Sequence, residues 1–91
     1  VYCVSKAGLV GLTRSLAREL APTVRVNAVA PGAILWPAGG DDAAQRALLA
    51  RTPLGRSGEP ADIAGAVSYL LGAGYVTGQV ISVDGGRSLN D

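Results

Sequence analysis

The chain has 91 residues, 8 lysine and arginine against 7 aspartate and glutamate, a net charge of +1, and 48% hydrophobic residues with 13 glycines. That length allows at most one small domain, and that composition is too apolar for an intrinsically disordered chain. The near-neutral balance leaves no electrostatic footprint for nucleic acid or an anionic membrane, and a chain with no histidine and Cys3 as its one cysteine has neither a disulfide framework nor a metal constellation.

No apolar run approaches the roughly 18 residues of a membrane-spanning helix. No stretch reads as a signal peptide, so the expected setting is reducing and cytoplasmic. The chain contains no methionine and opens inside a helical pattern without a capping residue. The expectation is the C-terminal part of a larger domain.

In chain order, Val1 to Leu20 reads as a helix, with Val4, Leu9, Leu12, Leu16 and Leu20 at helical spacings. Gly8 and Gly11 inside it cost about 1 kcal/mol each relative to alanine, which suggests close packing against a second helix or subunit. Pro22 ends it. Val24 to Ala30 is β-branched and apolar, interrupted by Arg25 and Asn27, and reads as a buried strand of a parallel sheet. Pro31-Gly32 ends it abruptly. Residues 33–58 read as a long excursion containing a short helix from Ala43 to Ala50, and connections of this length are usually functional lids. Pro60 to Leu71 reads as a second long helix, with Pro60 at its first position and Glu59 and Asp62 at its positive end. Gln79 to Val83 reads as a second strand, closed by Asp84-Gly85-Gly86. One carboxylate before two glycines makes a turn, not a metal site.

The candidate chemistry begins at Tyr2 and Lys6. Their i, i+4 spacing puts a phenol and an ammonium on one helical face. A free tyrosine titrates near 10, roughly, and a neighbouring cation lowers that value toward the range useful for proton transfer. By spacing alone, a surface pair without chemistry is the commoner reading. Cys3 reads as a small packed residue, since Lys6 alone would lower its thiol pKa. Pro31 and Gly32 lie where ligands of open α/β folds bind, beyond the carboxyl end of a strand.

Four motifs stand in order: Tyr-Cys-Val-Ser-Lys at 2–6, Arg-Val-Asn-Ala-Val-Ala-Pro-Gly at 25–32, Gly-Glu-Pro-Ala-Asp-Ile-Ala at 58–64 and Thr-Gly-Gln-Val-Ile-Ser-Val-Asp-Gly-Gly at 77–86. Together they resemble the C-terminal half of the short-chain dehydrogenase/reductase family. Pro-Gly-Ala-Ile-Leu-Trp-Pro at 31–37 and Asp-Gly-Gly-Arg-Ser-Leu at 84–89 look most like its bacterial pteridine reductase branch. The resemblance implies an α/β fold, a Rossmann-like doubly wound parallel sheet of which these residues would form the C-terminal part. It implies hydride transfer from NADPH, with NADH as the alternative, to a pterin-like or carbonyl substrate. Tyr2 would be the general acid. Lys6 would bond the nicotinamide ribose and depress the tyrosine pKa. Pro31, Gly32 and Ile34 would line the nicotinamide, and Trp36 would form an aromatic wall for a flat substrate or else a loop plug. Many family members carry a threonine where Trp36 stands. The expected partners are a small-molecule substrate and further copies of the chain, as a homotetramer or homodimer. The alternatives are a reductase of 3-oxoacyl thioesters or other carbonyl compounds, and a non-catalytic oligomerisation module.

Overall fold

The computed structural model describes residues 2–32 and 42–90, with the backbone alone for residues 2–4, 42 and 90. Its elements run α1 (Tyr2–Leu20), β1 (Ala28–Pro31), α2 (Asp42–Ala50), α3 (Pro60–Gly72) and β2 (Val80–Val83), followed by a single 3-10 turn, Arg87–Asn90. Ile34, Trp36 and the rest of residues 33–41 lie outside the described residues.

The two strands pair in parallel, Ala28 with Val80, Val29 with Ile81, Ala30 with Ser82 and Pro31 with Val83. Parallel neighbours need a crossover connection, and here it carries α2 and α3. Both α1 and α3 pack on both strands.

The face that α1 turns to the sheet differs from the leucine stripe the periodicity predicts. Leu12 is 58% exposed and Leu20 is 41% exposed, while Thr13 and Ala17 are buried. Leu9 and Leu16 are half-buried, so the contact line runs 9, 13, 16, 17, one helical face with small residues at its centre. A Cβ placed at Gly78 would lie 3.5 Å from the Ala17 Cβ, which measures how closely α1 and the segment leading into β2 approach. Gly8 and Gly11, by contrast, face open space within this chain, so the close packing expected there is not made by any described part of it.

The first strand is shorter than the apolar run. Residues 24–27 lie outside the ladder, and side chains join backbone groups in tying them to residues 76–79. Val26 N–H donates to Thr77 Oγ1 at 3.0 Å, and Gly78 N–H donates to the Val26 carbonyl at 2.7 Å. The Asn27 amide donates to the Val76 carbonyl at 2.9 Å and accepts from Gln79 N–H at 3.0 Å. Asn27 thus bridges two backbone groups where regular pairing has not yet begun.

Arg25 has a different task. Its guanidinium donates to the carbonyls of Leu70 (2.9 Å), Leu71 (3.2 Å) and Val76 (3.3 Å). Two of these belong to the last turn of α3, where the Leu70 carbonyl also accepts Ala73 N–H at 3.3 Å and a cation meets the negative helix end. The opposite end of α3 is closed by Asp62, whose carboxylate accepts Glu59 N–H at 2.8 Å.

Few side chains are deeply buried. Ala17 and Leu70 are the buried hydrophobic residues among those described, and Leu71, Tyr75 and Leu89 stand well out in solvent.

Arg25→Met in the full-length protein is expected to lower stability by about 1–2 kcal/mol, because it strips three acceptors of a charged donor at an exposed site. Arg25→Lys should recover only part of the loss, since one ammonium does not reproduce the fork of the guanidinium. Thermal unfolding of both variants measures this, and a wild-type melting temperature for Arg25→Met would remove Arg25 from the α3 cap.

Candidate active site

Both strands end at one edge, and their closest approach there is set by glycine. Gly32 follows Pro31, and its N–H donates to the Val83 carbonyl at 2.9 Å. A Cβ at Gly32 would stand 2.6 Å from both Cα and Cβ of Asp84, so a side chain cannot fit without moving backbone. Pro31-Gly32 is therefore a strand terminator and also a crossing point against the turn that follows β2.

That turn is built around Asp84. Its Oδ1 accepts Gly86 N–H at 3.0 Å and its Oδ2 accepts Ser88 N–H at 3.1 Å, which starts the 3-10 turn. Burial would by itself raise the Asp84 pKa. Hydrogen bonds from the Ser88 hydroxyl and the Gly86 and Ser88 N–H groups, with the charge of Lys6, outweigh it and hold the carboxyl below its ordinary value. Gly85 (φ 62°) and Gly86 (φ 89°) both occupy the left-handed region. Their missing side chains admit the segment after α2: a Cβ at Gly85 would lie 2.8 Å from Thr52 Cγ2, and one at Gly86 would lie 3.0 Å from Pro53 Cγ. Leu54 N–H donates to the Gly85 carbonyl at 3.0 Å, and buried Thr52 bonds back to the Leu48 carbonyl at 2.9 Å. The excursion read as one lid over 33–58 is thus tied down from Thr52 to Leu54.

Lys6 reaches this edge from α1. Its Nζ donates to Ser82 Oγ, and Ser82 is the strand partner of Ala30. Ser5, Lys6 and Leu9 of α1 and Val29, Ala30 and Pro31 of β1 line a cleft of about 190 Å³. On the far side of the same turn, Leu54, Arg56, Gly58, Asp62, Val83, Asp84 and Gly85 line a second cleft of about 190 Å³. Arg56 and Asp62 face each other there at 4.0 Å, both exposed, an ion pair of little energetic weight.

Of the residues singled out in the sequence, Lys6 and Pro31 line one cleft, and Gly32 lies directly beyond it. Tyr2 occupies the first turn of α1, one turn before Lys6. Ser82, Asn27 and Arg25 were not singled out. Ser82 carried a signal: it is the one polar residue in the Val-Ile-Ser-Val strand. No group of three or more potential metal ligands lies together among the described residues, and no described helix is long and apolar enough to cross a membrane.

Residues 1–88 match a family model described as enoyl-(acyl carrier protein) reductase. The chain superposes with a TM-score of 0.78 and 40% identity on a crystal structure described as a short-chain dehydrogenase/reductase, glucose/ribitol dehydrogenase, from Brucella melitensis, covering 94% of this chain and 37% of that one. The chain belongs to the short-chain dehydrogenase/reductase family. A second structure, a small-chain dehydrogenase in complex with NADPH, superposes with a TM-score of 0.78 and 39% identity over 91% of this chain and 40% of that one. These likenesses establish the Rossmann-like fold, to which the parallel pair and its flanking helices belong. Among characterised relatives, carbonyl reductase family member 4 of Danio rerio is 52% identical over 98% of this chain and 38% of its own length. A 3-oxoacyl-(acyl-carrier-protein) reductase of Thermotoga maritima is 47% identical over 93% and 37%. A dihydromonapterin reductase of Klebsiella pneumoniae is 42% identical over 97% and 37%. The chain therefore spans well under half the length of these family members.

The Asp84 turn yields a pH prediction. A carboxyl whose folded pKa is held down contributes stability above its ordinary pKa and loses it as pH falls through the depressed one. Asp84→Asn in the full-length protein is expected to melt below wild type at neutral pH, with the gap closing as pH falls through the depressed pKa and the wild-type carboxylate protonates. Melting temperatures of both proteins across that range decide it; a gap independent of pH would show that the charge contributes nothing.

Proposed function

We propose that these residues form the C-terminal part of an NAD(P)H-dependent oxidoreductase that reduces a carbonyl compound, with Tyr2 as general acid and Lys6 as cofactor ligand. The observation that carries this reading is the position of Lys6: its ammonium stands at the carboxyl edge of the parallel pair, beside a cleft otherwise lined by Ser5, Leu9, Val29, Ala30 and Pro31. Ligands of open α/β sheets bind at that edge.

The residues present fit the nicotinamide end of such a cofactor. An ammonium with three donors suits ribose hydroxyls, and Leu9, Val29 and Pro31 offer apolar contact to a flat ring. The NADPH bound in one structural relative supports the choice of cofactor. When bound, the cofactor supplies the hydride to the carbonyl carbon. Tyr2 gives the proton to the carbonyl oxygen, which completes the alcohol. Lys6, one helical turn away, favours the phenolate electrostatically and brings the tyrosine nearer to the working pH. Pro31 and Gly32 keep side-chain bulk away from the strand ends.

For the substrate, the 3-oxoacyl and carbonyl reductase relatives favour a 3-oxoacyl thioester or a related ketone. A pterin-like ring is the second reading, supported by the Pro-Gly-Ala-Ile-Leu-Trp-Pro run at 31–37 and the dihydromonapterin reductase relative. In that reading Trp36 walls the flat substrate and Ile34 meets the nicotinamide carboxamide. We place the enzyme in the cytoplasm as a homotetramer or homodimer. NADPH oxidation by the full-length enzyme with acetoacetyl thioester and with dihydrobiopterin separates the two substrates. Oxidation with neither would remove both.

Tyr2→Phe is expected to lower kcat by about 10²–10⁴-fold with cofactor affinity nearly unchanged, because the ring stays and the proton goes. Near-wild-type turnover would exclude Tyr2 as the acid. Lys6→Ala is expected to weaken NADPH binding and to move the pH–rate profile toward higher pH, since the tyrosine loses the cation that depresses its pKa. An unshifted profile with unaltered affinity would count against both roles of Lys6.

A further inference from the structure

Ser82 is the one polar residue of β2, and its hydroxyl takes no part in the strand ladder. It accepts a hydrogen bond from Lys6 Nζ across 76 residues of sequence. We propose that Ser82 is a positioning residue for Lys6, holding the ammonium at the carboxyl edge of the sheet before the cofactor arrives. The inference rests on the reading of Lys6 as a cofactor ligand.

The argument is one of rotamer freedom and donor count. A lysine on a helix surface has a flexible four-carbon stem and samples many positions unless something fixes its head. Binding a ligand through a free lysine loses that freedom at the moment of binding, and a preorganised side chain avoids the loss. Ser82 supplies a fixed acceptor, because the pairing of Ala30 with Ser82 locks its backbone to the strand whose residues share the cleft with Lys6. The ammonium has three donors and Ser82 takes one, so two remain for hydroxyls in the cleft.

Asp84 does not compete for this contact. Its carboxylate oxygens accept the N–H groups of Gly86 and Ser88, and it meets the Lys6 charge through space. The specific contact is thus left to Ser82. A neutral acceptor suits that task, because it orients the ammonium without neutralising the charge that acts on the tyrosine.

The test is a fluorescence titration of NADPH binding to the full-length protein. Ser82→Ala is expected to raise the NADPH dissociation constant about three- to tenfold, with the melting temperature close to wild type. Ser82→Thr, which keeps the hydroxyl and suits a strand, should restore most of the affinity. The deciding variant is Ser82→Ala combined with Lys6→Met, which keeps the aliphatic stem. If Ser82 acts through Lys6, removing its hydroxyl changes nothing further once the ammonium is gone. An equal loss in both backgrounds would mean that Ser82 acts on cofactor or fold directly, and the proposal falls. A Lys6→Met protein that binds NADPH as wild type does overturns the assignment of Lys6, and that of Ser82 with it. A weakened Lys6→Met beside an unaffected Ser82→Ala overturns Ser82 alone.

Discussion

The parallel pairing of Ala28–Pro31 with Val80–Val83 is the constraint on which the rest of the chain depends. It joins two segments far apart in sequence, and it sets their ends level. Because parallel strands cannot be joined by a tight turn, α2, α3 and their connections must fit between them. Level ends bring Pro31-Gly32 against Asp84, a meeting that Gly32 makes sterically possible, while Gly85 and Gly86 admit Thr52, Pro53 and Leu54 to the same turn. From this edge the clefts follow, with Lys6 above one and the Arg56–Asp62 pair across the other.

The two ends of the strand pair are held by different means. At the start, polar side chains stand in for a ladder: Asn27 bonds Val76 and Gln79, Thr77 bonds Val26, and Arg25 ties the same region to the end of α3. At the finish, backbone crossing and a carboxylate-centred turn do the work. The first arrangement joins polar side chains to backbone groups. The second leaves an ammonium with free donors beside a cleft. Our proposal that a ligand binds at the carboxyl edge rests on that ammonium. It also accords with membership of a family whose structural relatives include an NADPH complex.

Much of the fold is legible in the sequence. The boundaries of α1 and α3 are marked by local chemistry: Pro22 after the first, Glu59-Pro60 before the second, Gly72 at its end. The Asp-Gly-Gly turn was readable for the same reason, since backbone at positive φ is a demand on a single residue. The first strand, Ala28–Pro31, begins later than the run from Val24 to Ala30 predicts. An apolar β-branched run says that a segment is extended, but a ladder also needs a neighbour of matching length, and β2 begins only at Val80. The buried face of α1 was misjudged as well. Several faces of a helix with leucines at 9, 12, 16 and 20 look apolar, and the sheet selected the one where Thr13 and Ala17 allow close approach.

Of the candidate site, the sequence determined the residue types and their local spacing: a phenol and an ammonium one turn apart at Tyr2 and Lys6, and a strand ended by Pro31-Gly32. These follow from helical periodicity and from breakers that act over a few residues. Only the tertiary structure decided that Lys6 meets Ser82, that Arg25 closes α3, that Asn27 bridges Val76 and Gln79, and that Gly32 is required by Asp84. Each of those contacts joins residues more than forty positions apart, and no local propensity specifies which distant group a side chain will find. The strand register does, and that register exists only once the two segments are side by side.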